Sequence, residues 1–255
     1  MGFGACRTAA ADSLHRSLEE RVVNSPRVPS PVSRVGRSKE EARALYDRLS
    51  AWYDLLAGSE ARHMEAGLRK LGIKQVERVL EIGFGTGHAL VSLALMTGQA
   101  GSVYGVDISA GMARQARREL RKAGVGDRVM LIGGDGARLP LRDAVVDAVF
   151  MSFTLELFDT PRIPLVLDEC RRVLLPEGRL CVVGLARTGE GELSVRLYEW
   201  VHRRFPRLVD CRPIPVASVL EQAGFEVVES TRRSMWSLPV EIVLCRPGHL
   251  RETAE

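Results

Sequence analysis

No apolar run in this 255-residue chain approaches the roughly 18 residues that cross a bilayer, because charged or polar residues interrupt every candidate. A protein that is soluble, or at most peripheral to a membrane, is expected. Cysteine is sparse as well: Cys6, Cys170, Cys181, Cys211 and Cys245 stand apart, with no CxxC pair. That spacing excludes a thiolate metal site and suits buried, reduced thiols in a cytoplasmic protein. The five histidines form no pair at ligand spacing, so no metal is expected. There is also no large charge of one sign. Residues 1–38 hold six arginines against three acids, a net of +3, and the whole chain carries +4, which leaves +1 for the rest. A nearly neutral body lacks the basic stripe of a dedicated nucleic-acid binder, and no nucleic acid is expected as partner.

The first segment, with its stretch NSPRVPSPVSRVGRS, has few groups able to build a core, so residues 1–38 read as a disordered basic tail. A folded domain is expected over 39–247, followed by a short tail at 248–255. Ser38 and Glu41 make a capping box, and Ala44, Leu45, Leu49, Trp52 and Leu56 recur at helical spacing. A further helical stretch is expected over 63–71. Beyond it, RVLEIG, SVYGVDI, RVMLIGG, VVDAVFM and RLCVVGLA read as strands, most of them followed by helical patterns. Continuous apolar runs such as VLEI and CVVGL belong to parallel strands covered on both faces. With right-handed crossovers this predicts an α/β, Rossmann-like, doubly wound sheet whose ligands bind at the carboxyl ends of the strands. GFEVVESTRR and MWSLPVEIVLCRP read as two further β segments joined without a helix.

The first strand end carries EIGFGTGH. Gly83, Gly85 and Gly87 let the backbone turn sharply and approach a ligand. A dinucleotide fingerprint would place its last glycine at position 88, which is His88, so the spacing points away from NAD. Glu81, just ahead of the glycines, suits a cationic or amine-bearing ligand better than a phosphate. Asp107, at the end of the second strand, is placed to accept from both hydroxyls of a ribose. Asp135, after the third, is placed to accept from an exocyclic adenine amine. Three acids at three successive strand ends describe an adenosine site.

LEIGFGTG, GVDISAGM, GDGARLPL with DAVFMSFTLELF, and RRVLLPEGRL together resemble the class I S-adenosylmethionine-dependent methyltransferases over roughly residues 40–246. Within that superfamily YDRLSAWYDLL, the Ser59 and His63 pair, and RRVLLPEGRL are similar to the menaquinone and ubiquinone C-methyltransferases. Ala66 stands where their first signature has a tryptophan. Bacterial phospholipid N-methyltransferases are similar in the same places. The resemblance implies a mostly parallel seven-stranded sheet with an antiparallel C-terminal strand, and S-adenosyl-L-methionine as cofactor. It further implies that Gly83, Phe84, Gly85 and Gly87 line the methionine portion, with Glu81 beside its amine. Asp107 and Ile108 would hold ribose and adenine, Asp135 and Gly136 would meet the adenine edge, and Ser152 would close the methyl-donor pocket. Tyr46 and Tyr53 would cover the sulfonium as a lid.

Methyl transfer from a sulfonium needs positioning and desolvation more than elaborate acid–base machinery. A quinol acceptor still has a proton to lose, and His63 is the candidate base, with Tyr53 beside it as a catalytic candidate. A solvent-facing histidine is the alternative for His63, and core packing for the tyrosines. Residues 193–204 contain a helical face of Leu193, Leu197, Trp200 and Val201 beside Arg196, Arg203 and Arg204. It suits either a lipid-like substrate at an anionic membrane or an ordinary amphipathic cover for the sheet. The expected activity is methyl transfer to a small or lipid-like acceptor, such as a quinol carbon, with a phospholipid amine as the alternative. A catalytically silent binding subunit and an NAD-dependent oxidoreductase are the rivals from other classes.

Overall fold

The computed structural model describes residues 53–187, 212–236 and 238–248, with side chains from residue 60 onward. The expected tail at 1–38, Tyr46, the helix expected over 193–204 and most of the C-terminal tail lie outside the described residues. The first described helix, α1 (Tyr53–Leu71), is continuous across Gly58. It therefore joins the two separate helical stretches expected on either side of residues 57–62; the helix formers Ala57, Glu60, Ala61 and Arg62 outweigh one glycine there.

Strands and helices then alternate: β1 (Arg78–Ile82), α2 (His88–Thr97), β2 (Ser102–Asp107), α3 (Ala110–Lys122), β3 (Val129–Gly133), β4 (Val146–Ser152), α4 (Ile163–Val173) and β5 (Leu174–Leu185). After the undescribed segment come α5 (Val216–Gln222), β6 (Phe225–Met235) and β7 (Leu238–Pro247). The seven strands form one sheet in the order β3-β2-β1-β4-β5-β7-β6. The first five are parallel, and β7 runs antiparallel to both β5 and β6. The expected doubly wound sheet with its antiparallel C-terminal strand is thus the observed one. Among the described residues no helix is long and apolar enough to cross a membrane.

Both faces of the sheet are covered, which is why its central strands are apolar throughout. Val79, Phe150, Cys181 and Val183 face α1, α2 and α3, which bring Leu68, Leu90, Leu93 and Met112. Their neighbours Leu80, Met151, Leu180 and Val182 face α4 and α5, which bring Ile163, Leu167, Val219 and Leu220. The three described cysteines are buried and free, and burial pushes the Cys181 thiol up to about 12, so they are inert packing groups.

One guanidinium fixes the direction of α1. Arg179 in β5 donates to the Leu71 carbonyl (2.6 Å) and the Gly72 carbonyl (2.9 Å), and its fork meets both Glu77 oxygens at 3.0 and 2.7 Å. The carboxyl end of α1 is thereby held at the amino ends of the strands, so its amino end reaches the carboxyl ends, where the site lies. Both side chains are largely shielded, at 14% and 13% exposure. Arg179→Ala is therefore expected to lower stability by about 3 kcal/mol, because it leaves Glu77 and two carbonyls without their partner. Chemical denaturation of the two proteins measures that loss.

Candidate functional site

The strand order reverses between β1 and β4, and β1, β2 and β4 end together there. Each of the three glycines after β1 has a left-handed backbone: φ is 71° at Gly83, 50° at Gly85 and 89° at Gly87. Their surroundings differ. A Cβ on Gly83 would lie 2.3 Å from the Thr154 methyl, and one on Gly87 would lie 2.8 Å from Ala116 Cβ in α3. Around Gly85 a Cβ would meet nothing within 4 Å. Gly83 and Gly87 thus allow the strand, loop and helix to close on one another, while Gly85 borders open space where a ligand can approach. Phe84 is turned inward: it is 4% exposed and packs in the core against Gly105 and Leu90, so its backbone alone borders that space.

Glu81 is buried, at 3% exposure, and its Oε2 has no hydrogen-bond partner among the described residues. Burial pushes its carboxyl well above the ordinary glutamate range, and nearby Asp107 pushes it further. A buried unpartnered carboxyl is costly, and an ammonium group placed beside it would relieve the cost. Asp107 holds the neighbouring loops together: its Oδ2 accepts from the Gly85 amide at 2.9 Å and its Oδ1 from the Ser109 amide at 2.8 Å. Ser109 then caps α3 by accepting from the Met112 amide. Ile108 lies half-buried between them.

Asp135 follows β3. Its Oδ2 pairs with Arg162 at 2.7 Å and its Oδ1 accepts from the Ala137 amide at 3.2 Å. A carboxylate offers about four acceptor directions, so these contacts still allow an amine to bind. Gly136 is pressed between Ile82 and Phe158. Ser152 ends β4, and its carbonyl accepts from the Thr154 hydroxyl at 3.0 Å.

His63 is not solvent-facing. It is 1% exposed, and its ring stands edge-on to Phe153, with centroids 6.4 Å apart and planes at 88°. Tyr53 opens α1 at this end of the sheet. Phe153 itself has φ of 50°, an uncommon value for a non-glycine residue, held by burial and by the hydrogen bond its amide donates to the Val183 carbonyl (2.7 Å). This turn sends Thr154 back over Gly83 and buries Glu156.

Thr154, Arg162 and Glu156 are site residues that the sequence reading passed over. A visible signal existed for Glu156, a single acid in the mostly apolar SFTLELF at the end of a largely buried strand.

Over residues 79–178 the sequence matches the family model described as a methyltransferase domain. The chain is 32% identical over 148 residues to the demethylmenaquinone methyltransferase of Geobacillus kaustophilus, a match that covers 56% of this chain and 62% of that protein. It is 33% identical over 152 residues to the ubiquinone/menaquinone biosynthesis C-methyltransferase of Syntrophotalea carbinolica, covering 58% and 62%. The match thus spans a little under two thirds of the length of these relatives. Among solved structures, a SAM-dependent methyltransferase from Aquifex aeolicus is similar with a TM-score of 0.55 and 26% identity, over 72% of this chain and 89% of that one.

The fold is that of the class I methyltransferases, and residues 79–178 match a methyltransferase domain. Within that class the chain resembles the menaquinone and ubiquinone C-methyltransferases.

Proposed function

We propose that the protein transfers a methyl group from S-adenosylmethionine to a lipid-like acceptor, a quinol carbon, in the cytoplasm or at a membrane surface. The observation that carries the cofactor half of this reading is the orphaned Glu81 carboxyl beside the open space at Gly85. The relatives named as quinone methyltransferases support the acceptor half.

The residues fit the cofactor. Glu81 would pair with its amine, the Gly85 loop would border the methionine portion, Asp107 would accept from the ribose hydroxyls, and Asp135 would face the adenine edge. Bound there, S-adenosylmethionine supplies an activated methyl group and a neutral leaving group. The chain's own task is to orient the acceptor and keep water out. Phe153 and the buried His63 wall the methyl end, and Thr154 seals the loop against Gly83.

Calorimetric titration of the purified protein with S-adenosylhomocysteine, with NADH as control, tests the cofactor half. Binding on the order of micromolar is expected for the former alone. Burial raises the Glu81 carboxyl well above the ordinary glutamate range in the free protein, and an ammonium group beside it would favour its charged form. Binding should therefore release protons, and affinity should rise with pH. Titrations in two buffers of different ionisation enthalpy read that release directly. Heats independent of the buffer would remove Glu81 from the amine site. Incubation with a demethylated naphthoquinol, a phosphatidylethanolamine and small amines, followed by mass spectrometry, tests the acceptor; methylation of the quinol is expected.

A further inference from the structure

A cavity of about 300 Å³ opens between α1 and the antiparallel pair β6 and β7. In the sheet β7 and β6 stand three and four places from β1, which puts the cavity roughly 15–20 Å to the side of the glycine loop. Its floor is apolar, made by Ala66 of α1 and Ile242 of β7, both buried. Its walls are polar. Alternate residues of a strand share a face, so Glu229, Thr231 and Arg233 line it together from β6. Opposite them α1 brings Arg69 and Lys70.

The Lys70 ammonium is drawn inward. Its side chain is only 10% exposed, and it donates to the Thr231 hydroxyl at 2.9 Å and pairs with Glu229. An ammonium has three protons to donate, so one is left, and a hydroxyl that accepts keeps its own proton to give. Arg69 is exposed, with Glu65 of the same helix 3.8 Å away. Arg233 is exposed and has no ion-pair partner among the described residues. Three cations against the single lining acid, Glu229, leave the cavity a net charge of +2, and Glu65 outside it lowers the local sum to +1. Like charges held so close repel, and an anion among them relieves the repulsion.

We propose that this cavity is a second binding site, for a phosphate group, carried either by a small soluble phosphate compound or by the head of an anionic phospholipid. A phosphomonoester carries a charge of about −1.5 to −2 at neutral pH, close to what the lining residues call for, where a carboxylate supplies half as much. The guanidinium forks of Arg69 and Arg233 suit two of its oxygens, and the Lys70 ammonium and Thr231 hydroxyl suit a third. A water molecule occupies roughly 30 Å³, so the cavity has room for a phosphate and a small attached group, whose apolar part would rest on Ala66 and Ile242. The site is independent of the methyl-transfer reading, since it shares no residue with the cofactor site.

The test is calorimetric titration of the full chain with inorganic phosphate at low ionic strength, with chloride as control. Binding with a Kd on the order of 1 mM or tighter is expected for phosphate alone. Arg233→Gln and Lys70→Gln should each weaken it about ten-fold, as the loss of a charged hydrogen bond does. Thr231→Val keeps every charge and nearly the same shape, and should still weaken it about five-fold. Glu229→Gln should change it in the other direction, tightening it about five-fold, because a like charge beside the anion is gone. The arginine-rich residues 1–38 are the same in every variant, so these differences report on the cavity. Should Lys70→Gln fail to fold, the exposed Arg233 and Glu229 still decide. S-adenosylhomocysteine should leave phosphate binding unchanged. Flotation with phosphatidylcholine vesicles, with and without phosphatidic acid, then separates the sources. Retention that needs phosphatidic acid and is lost in Arg233→Gln assigns a lipid head, and phosphate binding without such retention assigns a soluble compound. A parent that binds no phosphate overturns the site, as does displacement of phosphate by S-adenosylhomocysteine. Equal binding by Thr231→Val, Glu229→Gln and the parent also overturns it, since surface charge alone would then hold the anion.

Discussion

Asp107→Ala is expected to weaken S-adenosylhomocysteine binding by about 100-fold or more while leaving the protein folded. The carboxylate ends β2 next to Gly85, and hydrogen bonds to a charged acceptor contribute about 1.5–3 kcal/mol each. Losing two ribose hydroxyl contacts therefore removes roughly 3 kcal/mol, a little over two decades in Kd. A second effect adds to the first. Asp107 also accepts from the Gly85 and Ser109 amides, at 2.9 and 2.8 Å, so alanine frees the glycine loop as well as the ribose. The fold should survive because Gly85 and Asp107 lie at a half-exposed strand end where water can replace the carboxylate, and Ser109 still caps α3 through its own hydroxyl. Asp107→Asn separates the two contributions. It keeps one acceptor for the loop but loses the charge, and should fall between alanine and the parent. Calorimetry reads the affinity and circular dichroism the fold; alanine binding as tightly as the parent would remove Asp107 from the cofactor site.

Asp107 was legible in the sequence because it follows an apolar strand at a fixed interval after the glycines, and so was Glu81. Both depend on local chain geometry: a strand of known direction and a turn of known length place the acid. The sheet was legible for the same reason, since continuous apolar runs alternating with helical periods leave few topologies. Glu156 was not. Its partners Leu185 and Arg212 lie 29 and 56 residues further along the chain, and only the closed sheet brings them together. Phe84 shows the converse limit. It stands among residues that border the cofactor space, yet the left-handed turn at Gly83 directs its ring into the core, a choice that depends on the room left by Gly105. Likewise, whether His63 faces water or Phe153 depends on which side of α1 meets β4, and that side is the one that carries Ala66, Gly67, Leu68 and Leu71 into the core.

Gly83→Ala is expected to destabilise the fold by about 2–5 kcal/mol, whereas Gly85→Ala should cost only about 1–2 kcal/mol. Both positions have positive φ, which an L-residue adopts at a cost of roughly 1–2 kcal/mol. They differ in what the new methyl would meet. At Gly83 it would lie 2.3 Å from the Thr154 methyl and 2.5 Å from its hydroxyl, a clash that must displace the turn after β4, and such overpacking typically adds about 1–3 kcal/mol. At Gly85 it would meet no protein atom within 4 Å. The larger loss corresponds to a fall of about 10 °C in Tm for a domain of this size. Thr154→Ala removes the two closest atoms, so the double variant should recover the overpacking part and none of the backbone part. A cycle of the four proteins measures that coupling. Binding should show the opposite order relative to stability: Gly85→Ala, folded and nearly as stable as the parent, should lose affinity for S-adenosylhomocysteine because its methyl enters the space assigned to the ligand. If Gly85→Ala bound as the parent does, that space would not be the cofactor's; if Thr154→Ala gave Gly83→Ala no recovery, its instability would come from the backbone alone.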